Sequence, residues 1–239
     1  MRKAGELFEA FNREKRLAAN RSEPIGAGTY GVVYPSDVDG NVIKQSITPD
    51  TFEPTGLENE INMQAIASEM GIAPRVAGLE KFPGGVGNRI EMQDVRPNFE
   101  LHGTDRDVPR GRDAVRVNQQ LGELALKGVD LNDRHGANVM YNKMTGRPMQ
   151  LDFGLARKVE GEDQVIALMN ATADGLEAAG LGDIGSIYRE TVMDFLNGGD
   201  VAEAMDLAKQ GFSRLQKLDG PVQLPVPMFN VDTGLQLPL

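Results

Sequence analysis

The sequence contains no cysteine and only two histidines, His102 and His135. The missing thiols exclude disulfides, thiolate metal sites and a cysteine nucleophile, and two histidines give little basis for a histidine metal cluster. No apolar run approaches the roughly 20 residues that a membrane-spanning helix requires. The N-terminal residues lack the apolar segment of a signal peptide. These absences favour a cytoplasmic protein, or one held within a larger assembly.

Positive charge is also scarce, because 35 acidic residues outweigh 25 basic ones and give a net charge of −10. Binding to a phosphate backbone needs a basic surface, and no long run of lysine or arginine occurs. The charge therefore argues against a nucleic-acid partner, and the missing basic patch argues against a membrane surface. Apolar residues at 40% and charged residues at 25% are ordinary for a globular chain.

The pattern of apolar residues and turn residues divides the chain into a β-rich part and a helical part. Strands are predicted on both sides of a glycine cluster and again at Val42-Ile43, after a turn at Asp39–Asn41, with a further strand at Arg89–Met92. Short strands are predicted near 139–140 and 149–151. Helices are predicted at 3–19, 56–70, 111–127 and 163–217, the last one broken near Gly180–Gly182 and Gly198–Gly199.

This order predicts an α+β fold of two lobes. Residues 1–93 would form an N-terminal helix and a β-rich lobe, and residues 94–219 a mainly helical lobe. The proline-rich residues 220–239 would form an extended tail that docks onto a partner.

A glycine-rich segment, residues 26–32, fits the pattern G-x-G-x-x-G-x-V. Without β-carbons, such a loop can approach phosphate groups closely and direct backbone N–H groups at them. A dinucleotide-binding turn would require a helix after the glycines, whereas strands are predicted on both sides here. The segment therefore predicts a loop that covers a nucleotide and supplies these binding residues: Gly26, Gly28, Tyr30, Gly31 and Val32.

Lys44 follows two β-branched residues on the next predicted strand. A buried ammonium group needs a carboxylate partner, and the helix predicted at 56–70 offers Glu58 and Glu60. These two residues point to different sides of the helix, so only one of them can face Lys44. We favour Glu60 because Met63 and Ala67 would then lie on its inward side, but Glu58 remains an alternative.

Two further motifs carry the chemistry of phosphoryl transfer. Asp133 and Asn138 have the spacing D-x-x-x-x-N, and Asp152 begins an Asp-Phe-Gly triplet behind a predicted hairpin. Metal ions that bridge phosphates require hard oxygen ligands, which Asn138 and Asp152 would supply. Asp133 would orient an attacking hydroxyl and accept its proton.

Taken together, residues 24–157 resemble the protein-kinase-like superfamily. The glycine loop, Lys44 and the Asp-Phe-Gly triplet are similar to those of eukaryotic-type protein kinases, in which the lysine lies on the third strand. The catalytic loop differs, since Leu131-Asn132 replaces the usual His-Arg. Asp133-Arg134-His135-x-x-Asn138 instead resembles the phosphoinositide lipid kinases, which implies that His135 assists the transferred proton or phosphate, unless it is a solvated loop residue.

The resemblance implies ATP with Mg²⁺ or Mn²⁺, a hinge in which backbone groups near Gln93 and Val95 pair with the adenine edge, and transfer of the γ-phosphate to a hydroxyl. No Ala-Pro-Glu follows the Asp-Phe-Gly triplet, so a phosphorylatable activation loop is not expected. A protein serine or threonine is the favoured acceptor, with a small molecule or lipid as the alternative. A different class also remains open, namely an inactive kinase-fold component of a larger assembly such as a virion.

Overall fold

A computed structural model describes residues 23–27, 31–46, 56–81, 88–101, 109–132 and 136–218. The predicted helix at 3–19 and the predicted tail at 220–239 lie outside these residues. Within them the fold is α+β, which confirms the predicted class: an antiparallel sheet in the first part of the chain is followed by a part made mostly of helices.

Five antiparallel strands form the first sheet in the order β1-β2-β3-β5-β4. Their bounds are β1 Gly26–Ala27, β2 Gly31–Pro35, β3 Asn41–Ser46, β4 Val76–Glu80 and β5 Arg89–Gln93. The turn between β2 and β3 contains Gly40 at a positive φ of 78°, a conformation that glycine adopts without steric cost. The predicted turn at this point brings β3 between β2 and β5, so Lys44 lies on a central strand.

Helix α1, Gly56–Glu69, connects β3 to β4. Met63 and Ala67 are buried on it and belong to the same apolar cluster as Phe153. Gly71, at φ 69°, follows the end of the helix and allows the chain to turn towards β4. The predicted helix at 56–70 and its inward face are thus both observed.

Short strands surround the predicted catalytic segments. β6 (Phe99–Leu101), β8 (Val139–Asn142) and β9 (Pro148–Gln150) form one sheet in the order β6-β8-β9, while β7 (Val129–Asp130) pairs with β10 (Arg157–Lys158). β8 and β9 were expected; β6, β7 and β10 were not. Strands of two or three residues are too short to show an alternating pattern.

Four helices complete the described chain: α2 Gly111–Leu126, α3 Gly161–Ala178, α4 Gly182–Asn197 and α5 Val201–Leu215. Positive φ values at Gly180 and Gly199 separate the last three, close to the predicted breaks. The Asp200 side chain caps α5 by accepting a hydrogen bond from the Glu203 amide at 3.0 Å. α3 begins two residues earlier than predicted, with Glu162 and Asp163 in its first turn, where acidic groups favour a helix N-terminus.

The second part of the chain has its own apolar core, built from α3, α4 and α5. Its largest fully buried side chains include Tyr188, Leu168, Phe212 and Leu215. A second core, described below, joins α1 to the segments around Asp152. The division at residue 93 into two lobes remains a prediction. Among the described residues, none of the helices combines the length and the apolar character needed to cross a bilayer.

The contact between α2 and α5 depends on a glycine. A β-carbon added to Gly122 would overlap the ring of Phe212, which is 1% exposed and cannot move aside. We expect Gly122→Ala to lower the free energy of unfolding by about 1–3 kcal/mol, the usual cost of overpacking a core, when measured by chemical denaturation.

Gly182→Ala is the matched control. The nearest atom to a β-carbon there is Glu177 Cγ at 3.9 Å, so the substitution should be neutral or stabilising by about 0.4–1 kcal/mol. Equal stability losses for the two variants would contradict the described packing of α2 on α5.

Candidate active site

The candidate site is centred on the ammonium group of Lys44. Its Nζ donates to Glu60 Oε1 at 2.6 Å and to Asp152 Oδ1 at 2.9 Å. The side chains of Lys44, Glu60 and Asp152 are 17%, 2% and 37% exposed. One cation therefore joins β3, helix α1 and the Asp-Phe-Gly segment, three elements that are far apart in the sequence.

The backbone after Asp152 fixes the orientation of that carboxylate. The Gly154 amide donates to Asp152 Oδ1 at 3.0 Å. A β-carbon at residue 154 would lie 3.3 Å from Asp152 Oδ1 and 3.8 Å from Glu60 Oε2. Glycine at this position therefore leaves both carboxylates in place around Lys44.

The ionisation of these groups follows from their burial and their proximity. Burial disfavours the charged amine, but the attraction of Glu60 and Asp152 outweighs it, so the pKa of Lys44 lies above its usual value. Burial also raises the pKa of Glu60; Lys44 acts in the opposite direction, and repulsion from Asp152 adds to the rise. Lys44 is therefore a firmly protonated cation in contact with two acidic side chains.

Glu58, the alternative partner, faces away from this group. It pairs with Lys81 at the surface, where its side chain is 72% exposed, and the hydrogen bond from Lys81 lowers the pKa of Glu58. The contact with Lys44 is thus made by Glu60, the residue favoured from the sequence. What Glu60 does for a nucleotide stays a prediction.

A buried apolar cluster supports the charged group. Phe153 is fully buried and shares this cluster with Met63 and Ala67 of α1, and with Leu131 and Val139 on either side of the predicted catalytic loop. Leu131 is the residue that replaces the histidine usual in protein kinases. Here it contributes an apolar side chain to the packing that unites α1, the Asp-Phe-Gly segment and the catalytic loop.

Asn138 lies in a short 3₁₀ turn, Gly136–Asn138, that leads into β8. Its carbonyl accepts a hydrogen bond from the Leu151 amide at 2.9 Å, which places Asn138 beside the residue preceding Asp152. A carboxylate and an amide oxygen are ligand types that magnesium accepts, and Mg²⁺ takes its remaining ligands from water and phosphates. Across the described ranges, no group of three or more His, Asp or Glu side chains is placed so that it could hold a metal ion.

The described parts of the glycine loop lie against Lys44. Gly26 is in β1, and Gly31 and Val32 are in β2, while Gly28 and Tyr30 fall outside the described residues. A β-carbon at Gly31 would lie 3.0 Å from the Gln45 carbonyl and 3.5 Å from Lys44 Cε. A side chain at residue 31 would therefore be tight against the backbone of β3 and would touch the lysine stem.

The predicted hinge follows β5. The Gln93 amide donates to the Arg75 carbonyl at 2.9 Å, and the Asp94 amide donates to the Gly40 carbonyl at 2.8 Å. The Val95 carbonyl accepts from the amides of Asn98 and Phe99, and the Val95 side chain is buried. The segment is thus tied to both parts of the fold, with several of its backbone groups already bonded.

Asp133 and His135 fall outside the described residues, so their roles stay predictions. The residues that flank positions 133–135 are described: Leu131 is buried, Asn132 Nδ2 donates to the Leu155 carbonyl at 3.1 Å, and the Asn138 carbonyl accepts from the Leu151 amide.

Other contacts at the site were not predicted. Asn59 Nδ2 of α1 donates to the Ala156 carbonyl at 2.7 Å, and Arg157 donates to Asp130 Oδ2 from Nε at 3.2 Å and from Nη2 at 3.1 Å. Such bonds join a side chain to one backbone group or to one distant residue. They leave no spacing in the sequence by which they could be recognised.

Comparison with known proteins gives no match by sequence. No protein-family model matches the chain, and no curated protein matches it. Among solved structures, the chain is similar to the kinase PK-1 of Cydia pomonella granulovirus, at 16% sequence identity and a TM-score of 0.41. The match covers 63% of this chain and 59% of that kinase, so it spans less than two thirds of the viral protein.

The raised pKa of Glu60 gives a prediction with a definite sign. Because the folded protein binds this proton more tightly than the unfolded chain, the contribution of Glu60 to stability increases as the pH falls through the raised pKa. Wild-type protein should therefore gain melting temperature relative to Glu60→Gln as the pH is lowered from above the raised pKa of Glu60 towards the ordinary pKa of a glutamate.

Glu58→Gln is the control for this measurement. The pKa of Glu58 is lowered, so its protonation lies below the tested range and the difference from wild type should stay constant. A wild-type protein that loses stability relative to Glu60→Gln on acidification would contradict the electrostatics described for the Lys44 group.

Proposed function

We propose that this protein is an ATP-dependent phosphotransferase, a small atypical serine/threonine protein kinase that transfers the γ-phosphate to a hydroxyl group. The observation that carries the proposal is the bridging of Glu60 and Asp152 by Lys44. A mostly buried cation fixed between a helix carboxylate and the carboxylate of an Asp-Phe-Gly segment is the arrangement that positions nucleotide phosphates in this kind of chemistry.

Lys44 would bind the phosphates, and Glu60 would hold its ammonium group in position. Both side chains are largely shielded from solvent, so the interaction with a phosphate would be stronger than at an exposed surface. Gly31 and Val32 on β2, with Gly26 on β1, would bring the glycine loop over the same phosphates. The close approach of Gly31 to the lysine stem supports this assignment.

Asp152 and Asn138 fit a divalent metal, since both offer oxygen donors on adjacent segments. Mg²⁺ or Mn²⁺ would neutralise the phosphate charge that develops during transfer. Asp152 Oδ1 now accepts hydrogen bonds from Lys44 and Gly154. Asp152 would therefore have to release Lys44 before that oxygen became a metal ligand.

Asp133 would orient the acceptor hydroxyl and take its proton as the new oxygen–phosphorus bond forms. The bond between the γ-phosphorus and the bridging oxygen breaks at the same stage, and ADP leaves. His135 would assist the proton or the transferred phosphate. Adenine would pair with the backbone of the hinge, where the Gln93 carbonyl and the Val95 amide are the groups not committed by the bonds described above.

The acceptor is the least constrained part of the proposal. Only six residues, Leu155–Glu160, join Gly154 to α3, and none of them has a hydroxyl side chain. A protein serine or threonine is retained as the acceptor because the glycine loop is of the protein-kinase type. If a small molecule or a lipid is the acceptor instead, the labelled phosphate will be found on that molecule.

Transfer from ATP labelled at the γ-phosphate is the direct test, with the protein itself, mixed Ser/Thr peptides and lipid vesicles as acceptors. We expect Mg–ATP to raise the melting temperature of wild-type protein through binding. Asp152→Ala should lose both transfer and metal-dependent binding. Asp133→Ala should bind Mg–ATP nearly as well but lose about 10²–10⁴-fold in transfer rate.

Two results would contradict these assignments. A folded wild-type protein with no thermal shift at millimolar Mg–ATP would overturn the nucleotide-binding proposal and favour a structural role. Full transfer by Asp133→Ala would show that another group accepts the proton.

The contact between Lys44 and Asp152 predicts that metal and nucleotide bind together. Mg²⁺ alone must compete with Lys44 for Asp152 Oδ1, whereas the phosphates of ATP attract Lys44 away from it. We expect Mg²⁺ alone to shift the melting temperature little and Mg–ATP to shift it strongly. Lys44→Ala should lose at least about tenfold in Mg–ATP affinity, a cost of about 1.4 kcal/mol.

In Lys44→Ala, Asp152 and Glu60 are left without their shared cation, so the affinity for Mg²⁺ alone should increase. Lys81→Ala is the matched control, because it removes a lysine that pairs with Glu58 at the surface and should change neither affinity. Unchanged Mg²⁺ binding in Lys44→Ala would count against competition at Asp152.

A further inference from the structure

Asn59 makes the only side-chain hydrogen bond described from α1 to the segment after Phe153. Its Nδ2 donates to the Ala156 carbonyl at 2.7 Å. Ala156 is fully buried, and its amide donates to the Phe153 carbonyl at 3.0 Å. The Ala156 carbonyl therefore belongs to a tight turn that begins at the Asp-Phe-Gly triplet.

Asn59 immediately precedes Glu60, and adjacent side chains on a helix point about 100° apart. Glu60 bonds Lys44, which also contacts Asp152, and Asn59 bonds Ala156, three residues after Phe153. Apolar packing of Met63 near Phe153 is not directional. Two hydrogen bonds in different directions, by contrast, fix both the rotation of α1 and its position along its axis.

Residues 155–159, which include the Ala156 carbonyl, are also bonded to the chain around β7. Asn132 Nδ2 donates to the Leu155 carbonyl, Arg157 bonds Asp130, and the Val159 amide donates to the Gly128 carbonyl at 2.8 Å. These partners precede the predicted catalytic loop. Residues 155–159 thus link the chain that precedes Asp133 to the helix that carries Glu60.

We propose that Asn59 is a positioning residue for phosphoryl transfer: its amide holds α1 against this link, so that Glu60 reaches Lys44. The proposal rests on the proposed function. Without the Asn59 bond, α1 would keep its apolar contacts but lose the constraint that aims Glu60 at Lys44. Lys44 would then be left to Asp152 and would be poorly placed for phosphate.

The experiment is a double-mutant cycle of Asn59→Ala and Glu60→Gln, measured by transfer from labelled ATP and by titration of a fluorescent ATP analogue. Asn59→Ala should lower kcat/KM by about tenfold in the wild-type background. In the Glu60→Gln background it should cost less than about twofold, because Asn59 acts through Glu60. Additive losses would indicate a merely structural role and would overturn the proposal.

Asn59→Leu provides a second variant that keeps the approximate size of the side chain, removes its N–H donor and adds no charge. It should show the same loss, which keeps the test valid if Asn59→Ala does not fold. Asn118→Ala is the matched control, since Asn118 also donates its amide to a backbone carbonyl, that of Ala114 at 3.0 Å within α2. This control should leave transfer within about twofold of wild type.

Hydrogen exchange gives a readout that is independent of activity. Asn59→Ala should increase exchange in residues 56–69 and 153–159 and leave α3–α5 unchanged. If the wild-type protein transfers phosphate and both Asn59 variants do so at the full wild-type rate, the Asn59 proposal alone is overturned. Absence of ATP binding and transfer in wild type would overturn the proposed function, and with it any catalytic role for Asn59.

Discussion

One buried cation organises the first half of this molecule. Lys44 can remain charged at 17% exposure only because Glu60 and Asp152 both contact it. Those contacts require β3 to lie in the centre of its sheet, α1 to face that strand, and the Asp-Phe-Gly segment to return beneath both. Phe153 supports the arrangement from the apolar side, since it packs with residues of α1 and of the chain before the catalytic loop.

Much of this arrangement could be predicted from the sequence, because it follows from local patterns of apolar, glycine and turn residues. The alternation around Val42-Ile43, the turn at Asp39–Asn41 and the inward stripe of Met63 and Ala67 identify the strand and the helix that meet at Lys44. The stripe also distinguishes Glu60 from Glu58, since a helix presents residues three and seven positions apart on one face. Glycine breaks likewise divide the last helical region into three.

Other features could not be predicted, because they depend on tertiary contacts alone. β7 and β10 are two residues long and pair only because the chain returns after the Asp-Phe-Gly triplet. The overlap that makes Gly122 necessary arises from the ring of Phe212, about ninety positions away in the sequence. In the same way, Asn59 and Asn132 are unremarkable asparagines until the carbonyls of residues 155 and 156 are placed beside them.

The six-residue link between Gly154 and α3 limits where such a protein can be regulated by phosphorylation. It is short, it is bonded along its length, and it carries no serine, threonine or tyrosine. No kinase acting on a hydroxyl group can add a phosphate there to turn the molecule on or off.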